Sequence, residues 1–262
     1  MKKIIMLGTG HGSVQKNYNT CFLIENKKER LLVDTGGSIK IMTNLKEAGY
    51  TLNDINHIFI SHCHTDHLLG LCWIFKLNCL NHHKITVYSN KEVYEAIKNL
   101  IKSLYPETIQ KMIYDDFTFI ILEEDKEYNI AGLNITFFDC LAKENSLYGF
   151  DLKLDNNKNL IFLGDETCNP KLYKRLENKE YVMHEAFCLD NDNSYPDIVK
   201  EHHATVKKVC ETLKPLNIKN LILYHTEDSH KNKKELYEQE GEKYFNNNVI
   251  VPIDLEEIIL RW

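Results

Sequence analysis

The segment Ser61-His62-Cys63-His64-Thr65-Asp66-His67 decides how the rest of the chain can be interpreted. It holds three imidazoles and one carboxylate, a ligand set that suits zinc and other borderline divalent metals. An apolar run, Ile58-Phe59-Ile60, precedes it and a helix-like run over 68–75 follows it, which predicts a loop between a buried strand and a helix. The H-x-H-x-D-H spacing lets alternate residues divide between two neighbouring metals, so we favour a metal site over a polar turn.

Length and composition are those of an ordinary globular protein. The 262 residues are 43% hydrophobic and 27% charged, enough to bury a core, and we expect a single domain over residues 1–262. The net charge of −6 argues against general attraction to nucleic acid or to an anionic membrane. Apolar runs are far shorter than the ~18 residues of a membrane span. Eight cysteines without a C-x-x-C pair, and no export signal, predict reduced thiols in the cytoplasm.

Hydrophobic periodicity predicts alternating strands and helices along the whole chain. The predicted strands cover 3–7, 21–24, 30–33, 57–60, 84–88, 117–122, 128–130, 133–138, 147–154, 159–163, 181–183 and 220–224. The predicted helices cover 39–48, 68–80, 91–104, 171–178, 205–213 and 231–245.

Polar residues follow several of the predicted strands at the point where each strand ends. Asp34, the 62–67 loop, Asp165, Glu185 and His225 all have this position. Strand ends in a layered α/β protein direct their loops to one shared edge, where sites are built. Each residue alone would be more simply an ordinary turn or surface residue, but their joint placement beside the 62–67 loop favours a site.

These motifs resemble those of the metallo-β-lactamase fold superfamily. The resemblance covers most of the chain and implies an α/β fold, an αββα sandwich of two mixed β-sheets with outer helices. Within the superfamily the chain is most similar to ribonuclease Z-like metallohydrolases. The matching segments are Gly8-Thr9-Gly10, Val33-Asp34-Thr35-Gly36, the 62–67 loop, Leu163-Gly164-Asp165, His184-Glu185-Ala186, His203-Ala204-Thr205 and Tyr224-His225-Thr226.

The resemblance implies one or two divalent metal ions per chain, zinc before manganese or iron. Its metal ligands would be His62, His64, Asp66, His67, Asp165 and His225. One ion would take Asp66, His67 and His225, the second would take His62 and His64, and Asp165 would bridge the two.

The resemblance also implies the roles of the remaining site residues. Its catalytic residues would be Asp66, Glu185 and His203, with His203, oriented by Glu185, protonating the leaving oxygen. Asp34 would orient the metal loop from the second shell of contacts. A structural hydrogen bond between Glu185 and His203 stays open as an alternative, and His184 and His202 have no assigned role.

Two departures from the family pattern affect the predicted function. Our alignment places Leu141 where the family has a further metal-binding histidine, so the His62/His64 position should be poor in ligands. Water or substrate is favoured as the missing ligand over Asp139, Cys140 or His11. The span 149–165 has no room for the basic arm that grips tRNA in the tRNA-processing enzymes, so we do not expect a structured tRNA substrate.

The sequence therefore predicts a cytoplasmic, metal-dependent hydrolase, specifically a ribonuclease Z-like phosphodiesterase that attacks with a metal-activated hydroxide. Its partner would be a small-molecule or short flexible phosphodiester, with no membrane and with a homodimer left open. One alternative is an acyl-ester, lactone or thioester metallohydrolase. A second alternative is a non-catalytic binding or sensor protein with a degenerate metal site.

Overall fold

Two seven-stranded mixed β-sheets form the centre of the protein in a computed structural model that describes residues 2–192, 203–230 and 232–261. In spatial order the first sheet contains β14 (Glu257–Ile259), β1 (Lys2–Gly8), β2 (Cys21–Asn26), β3 (Glu29–Val33), β4 (His57–Ile60), β5 (Ile85–Ser89) and β6 (Phe117–Ile121). Its strands are antiparallel from β14 to β3 and parallel from β3 to β6.

The second sheet repeats this division into an antiparallel and a parallel half. In spatial order it contains β13 (Asn248–Ile250), β12 (Asn220–Tyr224), β11 (Tyr181–Glu185), β10 (Asn159–Phe162), β9 (Tyr148–Lys153), β8 (Leu133–Asp139) and β7 (Glu127–Ile130). Strands β7 to β10 are antiparallel, and β10 to β13 are parallel. Because the central parallel strands are covered on both faces, they are almost wholly apolar, as the fully buried Leu160-Ile161-Phe162 shows.

Helices cover the outer face of each sheet. They are α1 (Lys40–Glu47), α2 (Thr65–Leu68), α3 (Gly70–Asn78), α4 (Lys91–Leu104), α5 (Glu107–Asp116), α6 (Tyr173–Leu176), α7 (Val206–Leu213) and α8 (Lys233–Tyr244). Short 3₁₀ turns occur at Leu52–Asp54, Asp155–Asn157, Pro170–Leu172 and Lys214–Leu216. None of the helices in the described residues is long and apolar enough to cross a membrane.

Three hydrophobic clusters hold the four layers together. The middle cluster joins the inner faces of the two sheets, for example through Phe22 and Phe162, whose ring centroids are 5.3 Å apart. A second cluster packs α1, α3, α4 and α5 on the first sheet, and a third packs α6, α7 and α8 on the second. Each buried aromatic ring in these layers stabilises the fold by ~1.5–3 kcal/mol. The predicted αββα sandwich is therefore confirmed.

Two predicted helices are wrong in extent. The helix predicted over 68–80 is interrupted at Gly70, whose N–H donates to the carbonyl oxygen of Gly36 at 2.8 Å instead of continuing the α2 hydrogen bonds. The helix predicted over 171–178 contains a 3₁₀ turn and the single α-helical turn α6, after which the N–H of Asn178 bonds to Leu216. The helix predicted from residue 231 begins at Lys233, with residue 231 outside the described residues.

The parallel halves of the two sheets place their carboxyl ends at one edge of the sandwich. Val33 pairs with Phe59 in the first sheet, and Glu185 pairs with Tyr224 in the second. The residues that follow β3, β4, β10 and β12, together with the end of β11, therefore lie near one another. This edge holds the candidate site.

Candidate metal centre

The carboxylate of Asp34 holds the histidine-rich loop over 61–67 in place. It is fully buried, and its Oδ1 accepts a hydrogen bond of 2.8 Å from the N–H of Ser61. Its Oδ2 lies 2.8 Å from the hydroxyl of Ser61 and 2.8 Å from Nδ1 of His67. Asp34 has φ +56°, a left-handed conformation that costs non-glycine residues ~1–3 kcal/mol and is typical of functional sites. The chain thus bends sharply after β3 to place this carboxylate under the loop.

One group of potential ligands surrounds Nε2 of His67 and Nε2 of His225. The Nε2 atom of His67 lies 3.4 Å from Oδ2 of Asp66 and 3.3 Å from Oδ2 of Asp165. The Nε2 atom of His225 lies 3.4 Å and 3.5 Å from the same two oxygens. All four ligand atoms lie within 4.8 Å of one another, a spacing compatible with one shared ion.

A second group shares Asp165 with the first. The Nε2 atom of His62 lies 3.2 Å from Oδ1 of Asp165, and Nδ1 of His64 lies 3.8 Å from Oδ2. His62 is buried, whereas the side chain of His64 is 47% exposed and faces solvent on one side. Asp165 thus stands between the two groups: its Oδ1 faces His62, and its Oδ2 faces His64 as well as His67 and His225.

The donor atoms in both groups fit metal ions. The Nε2 atoms of His62 and His67 are buried without a hydrogen-bond partner, which is costly unless another group occupies the space before them. Mixed imidazole and carboxylate donors converging on one point are the ligands of zinc and related divalent ions. The centre is therefore a divalent metal site by its donor chemistry, and the number and identity of the ions belong to the proposals below.

The electrostatics of the metal-free centre show how strongly charge is concentrated there. Burial by itself would raise the pKa of Asp66 and Asp165, but the surrounding imidazoles hold the pKa of both carboxyl groups well below the ordinary range. Burial would lower the pKa of His225, but hydrogen bonds to Asp66 and Glu185 outweigh it and raise the pKa to about 9. A cation is thus favoured at this position, as a proton or as a metal.

Glu185 and His203 form a pair beside the first group. Oε2 of Glu185 lies 3.3 Å from Nδ1 of His203 and 3.8 Å from Nδ1 of His225. Oε1 accepts a 2.6 Å hydrogen bond from the N–H of Ala204, which fixes the carboxylate between the two rings. Burial would raise the pKa of Glu185, but the two imidazoles outweigh it and lower the pKa, so the carboxylate is ionised at neutral pH.

The second ligand group, which includes the shared Asp165, and His203 line a common cavity of about 390 Å³. This volume accommodates one small molecule or one part of a flexible chain. None of the described residues that line it is a lysine or an arginine. They are Ser13, His62, His64, Ala142, Glu144, Asn145, Leu147, Asp165, Glu166, Phe187 and His203.

The segment aligned with the family's additional metal-binding histidine presents Ala142 to the cavity. Leu141 has φ +58° and is 37% exposed, and it is Ala142 that lines the cavity. The alignment places Leu141 opposite the His62/His64 position, whereas in the structure its neighbour Ala142 lines the cavity with these two histidines. Neither side chain has a donor atom, so the expected shortage of ligands at this position is unchanged.

The three candidate substitutes for that histidine do not join the second ligand group. Cys140 is buried in the apolar cluster beneath the second sheet. Asp139 accepts a hydrogen bond from the N–H of Leu141 at 2.7 Å. His11 stacks on Phe187 with ring centroids 4.1 Å apart, and its Nδ1 accepts from the N–H of Ser13. Within the described residues, the group around His62 contains only His64 and Asp165.

Sequence reasoning missed several residues that build the site. Asn145 lies 2.9 Å from His64, and no sequence signal separates it from other loop asparagines. His184 is buried, and its Nε2 accepts from the N–H of Cys168, which anchors the loop after Asp165. Gly12 lies against Asp66, where an added Cβ would be 3.1 Å from the carboxylate. His202 lies outside the described residues.

Comparison with known proteins identifies the fold and a family. A family model described as anti-Pycsar protein Apyc1 matches residues 2–251. Ribonuclease Z of Thermococcus sibiricus is 25% identical over 312 aligned residues, covering 99% of this chain and 97% of that protein. Ribonuclease Z of Archaeoglobus fulgidus is 22% identical and covers 95% of this chain and 94% of its own length.

Solved structures confirm the metallo-β-lactamase fold. The metallo-β-lactamase fold protein YhfI from Bacillus subtilis superimposes with a TM-score of 0.77 at 16% identity, covering 98% of both chains. The short form of human tRNase Z superimposes with a TM-score of 0.71 at 18% identity, covering 99% of this chain and 100% of that one. Identities this low establish the shared architecture alone.

Proposed function

Because the chain belongs to the anti-Pycsar protein Apyc1 family and is a ribonuclease Z-like hydrolase of phosphodiester bonds, we propose that it cleaves a small or flexible phosphodiester. The observation that carries this proposal is the shared cavity. Asp165, the residue shared by the two potential metal positions, lines this cavity together with His62, His64 and His203. In-line attack on a phosphodiester needs charge stabilisation at the phosphate and a proton donor for the leaving oxygen.

We assign the metal ligands as the sequence predicts. Asp66, His67 and His225 would hold one divalent ion, His62 and His64 would hold the other, and Asp165 would be shared between the two positions. Divalent ions at such a centre supply Lewis-acid activation of water and neutralise charge on the phosphate oxygens. Zinc is the favoured metal because imidazole dominates the donor set, and manganese and iron accept the same donors.

The protein side chains around the metal positions orient the substrate and move protons. His203 keeps one nitrogen on Glu185 and has the other for the leaving oxygen, so it acts as the general acid. Glu185 is a positioning residue. Because it also faces His225, it links the general acid His203 to a metal ligand. Asp34 holds His67 with Nε2 towards the centre.

The size and lining of the cavity favour a compact substrate over a structured RNA. A protein that grips RNA neutralises several phosphates with lysine or arginine, and the described lining residues offer none. The turn between β9 and β10 spans only 154–158. The alignment with ribonuclease Z of Thermococcus sibiricus runs over 312 positions, more than the 262 residues of this chain, so that relative has segments that this chain lacks.

The first experiment is a turnover assay with bis(p-nitrophenyl) phosphate in the presence of added Zn²⁺ or Mn²⁺. We expect turnover by the parent protein and its loss in Asp165→Ala, which removes the shared ligand. A cyclic mononucleotide, a dinucleotide and a precursor tRNA then test the preference for compact substrates. Hydrolysis of lactones or thioesters without hydrolysis of any phosphodiester would overturn the proposal. A homodimer and a cytoplasmic location stay predictions from the sequence.

A further inference from the structure

We propose that Asn145 is a positioning residue for the second metal position, holding His64 so that its Nδ1 atom faces the ion. This inference rests on the metal centre of the proposed function and adds a residue that no family motif marks. The side-chain amide of Asn145 lies 2.9 Å from Nε2 of His64. On the other side of the ring, Nδ1 of His64 faces Asp165.

The other three imidazoles of the centre show why such a partner is needed. In each of them one ring nitrogen faces Asp165, and the second nitrogen faces a side chain outside the ligand groups. Nδ1 of His67 lies 2.8 Å from Asp34 and Nδ1 of His62 lies 2.9 Å from the Ser61 hydroxyl, both at hydrogen-bond distance. Nδ1 of His225 faces Glu185 at 3.8 Å, the distance of an ion pair. Such partners fix the tautomer and orientation of a metal-binding histidine. In His64 the two nitrogens have exchanged roles: Nδ1 faces Asp165, and Nε2 faces Asn145.

The protein places Asn145 by hydrogen bonds on both sides of it. The carbonyl oxygen of Ser146 accepts from the side-chain amide of Asn90 at 2.9 Å, and the N–H of Ser146 donates to Glu92 at 3.0 Å. Asn90 is itself fixed, because its side-chain oxygen caps α4 by accepting from the N–H of Val93. On the other side, the N–H of Lys143 donates to Glu166 at 3.4 Å. The amide of Asn145 is therefore held over His64 by the first turn of α4 and by the loop after β10.

A carboxamide suits this position because it can serve both proton arrangements of the imidazole. When Nδ1 carries the proton and donates it to Asp165, Nε2 accepts from the Asn145 amide nitrogen. When Nδ1 binds an ion, the proton resides on Nε2, and rotation of the carboxamide presents its oxygen as the acceptor. An aliphatic residue serves neither arrangement, and a carboxylate serves only the second.

The contribution of Asn145 should be large because the second position has few other supports. His64 is the most exposed of the four imidazoles, and the segment beside it supplies Ala142 in place of a donor. Without the amide, the His64 ring can rotate towards solvent and leave His62 and Asp165 alone. We expect Asn145→Ala to weaken binding of the second ion by about 10- to 100-fold, the range for losing such a partner.

The test measures metal binding without substrate, so its result is independent of whether a phosphodiester is cleaved. Zn²⁺ is titrated into the metal-free protein by calorimetry with a competing chelator, for the parent, Asn145→Ala and Asn145→Asp. Asn145→Asp keeps an acceptor for the protonated Nε2, so we expect it to retain the affinity for the second ion within about threefold, well above the loss expected for Asn145→Ala. Ser146→Ala is the matched control, because only the backbone of Ser146 makes the contacts that hold the loop.

Nitrogen-15 NMR of the zinc-loaded protein supplies a second readout. We expect the His64 ring to carry its proton on Nε2 in the parent and in Asn145→Asp, and to lose this single tautomer in Asn145→Ala. Equal affinity for the second ion in the parent and in Asn145→Ala would overturn the proposal. A parent protein that binds only one ion would overturn it as well, because the His62/His64 position would then not be a metal site.

Discussion

Nδ1 of His67 lies 2.8 Å from Oδ2 of Asp34, and that same carboxylate accepts from the backbone and the hydroxyl of Ser61. Ser61 in turn lies 2.9 Å from Nδ1 of His62. The buried carboxylate of Asp34 therefore contacts His67 of the first metal position directly and His62 of the second position through Ser61. Its left-handed backbone, φ +56°, is a conformation that asparagine tolerates well.

The first prediction concerns Asp34→Asn. If the remaining oxygen keeps the N–H of Ser61, the new NH₂ group faces Nδ1 of His67, so two donors meet. The ring must then move its proton to Nε2, the nitrogen that the metal needs. We expect metal affinity at the Asp66/His67/His225 position to fall by about 10- to 100-fold. Zinc titration measures it, with Asp125→Asn as a surface control, and unchanged affinity would contradict the role of Asp34.

The second prediction concerns protons released by metal binding. In the metal-free protein the carboxylates around His225 raise its pKa to about 9 from the ordinary 6.5, against the effect of burial. At pH 7.5 the ring therefore carries a proton that a metal must displace. Calorimetry at this pH in buffers of different ionisation enthalpy should show release of about one proton or more per ion. An observed enthalpy that does not depend on the buffer would contradict this.

The same shift fixes the sign of the pH dependence of stability without metal. A pKa that is raised on folding contributes stability that is fully present below about 6.5 and is lost as the pH rises through about 9. This contribution to the free energy of unfolding of the metal-free protein should therefore fall between pH 6.5 and pH 9. Metal affinity should rise over the same range, so the metal-loaded protein should gain stability relative to the metal-free one. Thermal unfolding measured between pH 6.5 and pH 9, without zinc and with zinc, tests both expectations.

Strong local patterns predicted most of the fold. Helix α4 and strand β12 have the predicted bounds, since each has a clear periodicity and an end signal. Helix α5 was missed although Ile109, Met112 and Ile113 have helical spacing, because only Tyr105 and Pro106 separate it from the end of α4. Strands β13 and β14 have three residues each, too few for a period to appear.

The site was predictable where residue chemistry alone is informative. Histidine and aspartate after strands indicate ligands, and the structure groups the other five predicted ligands with Asp165. The direction of a side chain in a turn was not predictable, because leucine rarely adopts the left-handed conformation that Leu141 has, and nothing in its residue type signals it. Asn145 was missed for a related reason: asparagine is common in loops, and only its distance to His64 distinguishes it.

The third prediction concerns which residue of the 141–142 segment faces the second metal position. Ala142 lines the cavity beside His62 and His64, whereas Leu141 is partly exposed. Ala142→His should therefore supply a nitrogen to the second position and raise its zinc affinity by at least about tenfold. Leu141→His is the matched control and should change the affinity much less. The opposite order of the two variants, measured by zinc titration, would restore the original alignment.

The fourth prediction separates phosphodiester from acyl chemistry through His203, which Glu185 holds at 3.3 Å. A general acid matters most when the leaving oxygen is a poor leaving group. His203→Ala should therefore lower kcat on a dinucleotide by about 100- to 10,000-fold, and far less on bis(p-nitrophenyl) phosphate, whose nitrophenolate leaves unprotonated. His83→Ala, at the opposite edge of the first sheet, is the control. An equal loss on both diesters would reject the acid role of His203, and undiminished thioester hydrolysis exceeding diester hydrolysis would favour the acyl alternative.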